Sequence, residues 1–68
     1  MIAALTEVFG QAYTVLSEEA RAALITDVGA LIVEDGFTNL RDAASELRRR
    51  IGGAQNLKVY VDSLLAGR

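Results

Sequence analysis

The stretch from Ala20 to Val33 constrains this chain more than any other, because its apolar surface is too wide for one neighbour to cover. Wound at a helical period, Ala20, Leu24, Ile25, Val28, Leu31 and Ile32 fill one broad arc, and Ala22, Gly29 and Val33 extend it round the side. Thr26, Asp27 and Glu34 leave only a narrow polar strip. A surface helix needs an apolar stripe of about 100°, and this one spans roughly twice that, so it is expected to pack on two sides. Its second seam is built of small residues, Ala22, Thr26, Gly29 and Val33, at spacings of four, three and four. Such a seam lets another helix backbone come close. Gly29 lowers helix propensity by about 1 kcal/mol relative to Ala, which clearance for a neighbour explains.

The 68 residues are expected to form a single domain, residues 1–68, of marginal size. A chain this short buries only about 60% of the surface it exposes when unfolded, so disulfides, metal or association must add to its core. With no Cys and no His, disulfides and the usual thiolate and imidazole ligands are removed, and no cofactor is expected. Association remains. A hydrophobic content of 51% is high for so small a globule and favours a homodimer or larger assembly. Residues 1–39 carry one basic and six acidic side chains, a formal −5, whereas residues 40–68 carry six basic and three acidic ones, a formal +3. Chains polarised in this way attract one another, head to tail or antiparallel. The absence of Cys suits the cytosol, the N-terminus has no basic leader, and no uncharged apolar run reaches about 18 residues. A cytoplasmic protein, neither secreted nor membrane-spanning, is the expectation.

Four helices are expected, at about 2–16, 18–34, 39–51 and 54–66. In the first, Ile2, Leu5, Phe9, Ala12, Tyr13 and Leu16 share a face, which Val8 and Val15 widen. Ser17 caps the second through its hydroxyl, with Glu18 and Glu19 placed to meet the positive end of the helix dipole. Gly36 supplies the left-handed turn that ends it, and Phe37 folds back as an apolar contact. Thr38 or Asn39 caps the third helix, whose seam of Leu40, Ala43, Ala44, Leu47 and Ile51 is narrow. Glu46 and Arg50 are spaced to pair, and Arg48, Arg49 and Arg50 suit the negative end of the dipole before Gly52-Gly53. Leu57, Tyr60, Val61, Leu64 and Leu65 line one face of the fourth. Short turns and no proline predict antiparallel neighbours.

Catalytic chemistry has little to work with. Without His or Cys, only carboxylates, Lys58 and the tyrosines could act as acid or base. Asp42 and Glu46 lie four apart, but beside Arg49 and Arg50 they read as a solvated, charge-paired face. Glu34-Asp35-Gly36 lacks the alternating ligands of a calcium loop, Ser17, Ser45 and Ser63 have no activating base, and Gly52-Gly53 is not followed by Lys-Ser or Lys-Thr. The chain is expected not to be an enzyme.

Consecutive arginines attract phosphate, so Arg48 to Arg50 raise a nucleic-acid reading. On a helix the three diverge by about 100° each. Arg41 and Arg48, seven apart, do share a face. The order of Tyr13-Thr14-Val15-Leu16-Ser17-Glu18-Glu19-Ala20, then Gly36-Phe37-Thr38-Asn39, then a helix ending in arginines loosely resembles ribbon-helix-helix repressors and antitoxins. The resemblance covers the middle of the chain. It implies a strand, helix, glycine turn and helix order, the strand near Tyr13 to Leu16 where the residues briefly alternate, and a dimeric DNA-binding regulator, for which Arg41, Arg48 and Arg49 are the candidate phosphate contacts.

The reading favoured by the residues themselves is an all-α bundle of three or four short antiparallel helices, completed by homodimerisation. Its function is expected to be protein–protein interaction, as an assembly subunit or as an inhibitor of a larger complex, a class that includes phage proteins. The self-association or partner seam is assigned to Ala22, Thr26, Gly29, Val33 and Phe37, and Arg41, Arg48 and Arg49 to an acidic partner or phosphate. Expected partners are a second copy and another protein, with nucleic acid the competing choice and no membrane.

Overall fold

A computed structural model describes residues 3–67, which are all-α, with no strand among the described residues. Five α-helices follow one another: α1 (Ala3–Phe9), α2 (Gln11–Thr14), α3 (Glu18–Asp35), α4 (Leu40–Ile51) and α5 (Leu57–Ala66), with a 3₁₀ turn (Ala54–Asn56) before the last. Helix ends follow local chemistry. Ser17 accepts from the Ala20 amide at 3.1 Å and starts α3, and Gly36 at φ 75° stops it. Asn39 accepts from the Asp42 amide at 2.9 Å and starts α4. At its other end Gly52 takes φ 88°, and the Gly52 and Gly53 amides donate back to the carbonyls of Arg49 and Arg48 at 3.3 and 2.9 Å.

The single first helix expected over 2–16 is instead two. Gly10 adopts φ 63° and ψ −138°, a conformation that L side chains rarely take, and the chain turns there between α1 and α2. The break lets α1 lie along α4 while α2 packs on α5, so Phe9 and Tyr13 enter one core from different directions. It also corrects the place of Val15, which does not widen the apolar face but stands 74% exposed. The ribbon strand implied at Tyr13 to Leu16 is absent, because that segment is the end of α2 and a turn.

The core gathers Leu5 and Phe9 of α1, Tyr13 of α2, Leu24 and Val28 of α3, Leu47 of α4, and Leu57 and Val61 of α5. Ala43 and Ala44, adjacent on α4 and pointing about 100° apart, are both fully enclosed, as α1 and α3 both pack on that helix. Within the chain α4 is enclosed by α1 and α3 although its seam is narrow, because two alanines let both neighbours approach closely. Helix α3 meets α4 and α5 with its inner arc and leaves its outer side open.

Candidate interaction surface

The outer side of α3 is defined by what is missing from it. Between Arg21 and Glu34 the helix carries one charged residue, Asp27, and that carboxylate accepts a hydrogen bond from the Tyr60 hydroxyl of α5. Asp27 is thereby held to the inner side. The opposite side presents Ala22, Thr26 and Val33, all exposed, with the half-buried Gly29 among them. Thr26 donates its hydroxyl hydrogen to the Ala22 carbonyl at 3.1 Å, so its donor is satisfied within the helix. Val33 is 83% exposed, the most of any large apolar side chain described. A Cβ added to Gly29 would meet nothing within 4 Å, so the clearance serves no neighbour in the same chain.

These four seam residues form one continuous strip, but Phe37 does not join them. It is half-buried against the core beyond the end of α3, which removes it from the seam assigned from sequence.

Beside the strip lies a groove of about 540 Å³, lined by Ala3 and Thr6 of α1, Tyr13 and Thr14 of α2, and Glu18, Arg21, Ala22 and Ile25 of α3. Tyr13 forms part of its wall while being only 3% exposed, and its hydroxyl is buried without a hydrogen-bond partner. Burial raises the Tyr13 pKa above its ordinary value, partly opposed by the nearby Arg21 charge. The phenol therefore stays neutral and keeps a hydrogen to donate. Arg21 makes no ion pair among the described residues. Helical periodicity had no means of finding this groove, because three elements build it. The one signal was Arg21, the only basic residue in the first thirty-nine.

The arginine face is largely neutralised. Arg41 pairs with Glu7 of α1 at 3.2 Å, and Arg49 forks onto Glu46. Arg50 bridges Glu46 at 2.8 Å and Asp35 at 2.9 Å, tying the end of α4 to the end of α3. Hydrogen bonds from Arg49 and then Arg50 hold the Glu46 carboxyl down at about 2. Of the three residues assigned to phosphate, Arg48 alone lacks an ion pair among the described residues.

The carboxylates that looked like a pair have separate partners. Asp42 accepts from Asn39 at the start of α4, and Glu46 is bound to guanidiniums near its end. Among the described residues no group of His, Cys, Asp or Glu is placed to hold a metal ion, and no helix is long and apolar enough to cross a membrane. No protein-family model matches the chain, and no curated protein or solved structure matches it either.

Proposed function

We propose that this chain is a non-enzymatic helical interaction module of the cytoplasm, an assembly subunit or an inhibitor of a larger protein complex, and that the outer side of α3 is its working surface. One observation carries the reading. The longest helix holds Ala22, Thr26 and Val33 exposed in a charge-free strip around Gly29, where an added Cβ would meet nothing within 4 Å. A solvated helix face is ordinarily lined with charge, and this one has its only central carboxylate drawn inward by Tyr60. Small residues on a helix surface serve close approach of another backbone.

The competing reading, a dimeric DNA-binding regulator, has less to support it. Arg41 and Arg49 are paired with carboxylates of their own chain, leaving Arg48 as a lone contact. Releasing those arginines for phosphate would break the pairs.

The test is solution mass across a dilution series for the native chain and for Gly29→Leu, with helicity followed throughout. In the isolated fold a Cβ at this position meets no neighbour within 4 Å. Association by the native chain, weakened in a fully helical Gly29→Leu, is the expected result. Equal association by both would overturn the reading.

A further inference from the structure

The apolar seam of the first helical stretch runs unbroken through a break in the backbone. Leu5, Phe9, Ala12 and Leu16 follow one another at spacings of four, three and four, the pattern of a single helix, with Gly10 on its polar side. The chain nevertheless folds back at that glycine, on one pair of dihedrals, φ 63° and ψ −138°. Helical bonding reaches it from both sides. The Gly10 amide donates to the Thr6 carbonyl at 2.7 Å, and the Gly10 carbonyl accepts from the Tyr13 amide at 3.1 Å.

The fold-back leaves bonds unmade. Among the described residues the Gln11 and Ala12 amides have no backbone acceptor, and in a continuous helix they would meet the Glu7 and Val8 carbonyls. It also divides the stretch into helices of seven and four residues, too short to hold alone. A one-residue hinge in a constrained conformation, placed between a helix and the core it packs on, invites exchange of that helix between copies. We infer that Gly10 is such a hinge: when it straightens, residues 3–16 become one helix, and α1 docks on the α4 of a second copy in a two-fold exchange.

Every contact that α1 makes with α4 is remade between the chains. Leu5 and Phe9 enter the second copy's core, and the Glu7–Arg41 ion pair, 3.2 Å within one chain, then ties two chains together. Against the entropy lost on association, each hinge gains acceptors for two amides and releases Gly10 from its turn. The two straightened helices bridge the same pair of cores and therefore run side by side. Val15, 74% exposed in the folded-back form, comes into line with Val8 seven residues earlier and gives those helices an apolar edge to share. The exchange uses no part of the α3 strip.

Cross-linking reads the exchange directly. Glu7→Cys and Arg41→Cys in one chain place two thiols where the native side chains meet, in a protein with no cysteine of its own, and a short bis-maleimide joins them. After refolding at high concentration, the dimer separated by gel filtration is expected to give two-chain products under denaturing conditions, and the monomer single-chain ones. Gly10→Ala opposes the folded-back dihedrals in both copies and is expected to lower the dimer Kd about a hundredfold. Gln11→Pro acts in the other direction. Proline suits the first position of α2, where the amide is unbonded, and breaks a helix that continues through it. With its fold confirmed by circular dichroism, Gln11→Pro is expected to give single-chain products alone. Dimers linked only within chains overturn the proposal and assign association to another surface, α3 included. A native chain without dimer after concentrated refolding overturns it too, as does Gly10→Ala dimerising no more tightly than native, or folded Gln11→Pro still linking two chains.

Discussion

The Tyr60 hydroxyl of α5 donates its hydrogen to the Asp27 carboxylate of α3, thirty-three residues away in sequence. This one bond joins the last helix to the longest and removes charge from the middle of the α3 outer side. Both residues are half-buried, so neither can substitute bulk water fully for the other. Tyr60→Phe is expected to lower unfolding stability by about 1.5–3 kcal/mol, the range for a hydrogen bond to a charged group, measured by urea denaturation. A loss near zero would mean that solvent satisfies Asp27 equally well.

The same bond has an alkaline signature. Burial, and then the Asp27 carboxylate, push the Tyr60 pKa up to about 12. A phenol whose folded pKa lies above its unfolded value of about 10 contributes stability that is complete below pH 10 or so. That contribution is lost as pH rises through about 12. Denaturation midpoints followed into this window are expected to fall more steeply in the native protein than in Tyr60→Phe. Parallel curves would refute the assignment.

Glu46 works at the acid end with the opposite sign. Its folded pKa, about 2, lies below the ordinary carboxylate value, so its stabilising effect is present above about pH 4.3 and disappears as pH falls toward 2. Glu46→Gln should flatten the acid decline of stability by a small amount, because the arginine pairs are exposed to solvent screening. Added salt is expected to shrink the difference between the two proteins further. A difference that grows with salt would count against the ion-pair explanation.

Two glycines should respond in opposite directions to the same substitution. At Gly10, φ 63° and ψ −138° oppose any L side chain although space is available, so Gly10→Ala is expected to destabilise by about 1–3 kcal/mol. At Gly29, inside α3 with open space around it, Gly29→Ala is expected to stabilise the isolated chain by about 0.5–1 kcal/mol. Chemical denaturation at the lowest workable concentration keeps association from masking the second effect. Destabilisation by Gly29→Ala would show that the position is constrained inside the monomer after all.

Much of the chain's organisation is legible residue by residue where the interactions are local. Ser17 and Asn39 bond to amides three residues ahead, and Gly36 and Gly52 stop helices by their own backbone freedom. Arg50 meets Glu46 at the spacing that helix geometry imposes. The break at Gly10 is different in kind. A glycine on the polar side of a helical pattern is compatible with a continuous helix, and the turn becomes favourable only when α1 can pack on α4 and α2 on α5.

What the amino-acid sequence determined alone was the all-α class, the caps and stops, and the existence on Ala20 to Val33 of more apolar surface than one neighbour needs. Those properties depend on contacts within a few residues, or on periodicity. Tertiary structure decided that the first helical stretch breaks at Gly10, that α4 is enclosed between α1 and α3, and that Tyr13, Arg21 and Ile25 share a groove. Periodicity identifies the direction in which a side chain points along its own helix, whereas a groove is a distance between separate helices, set by how closely Ala43 and Ala44 let α1 and α3 approach α4.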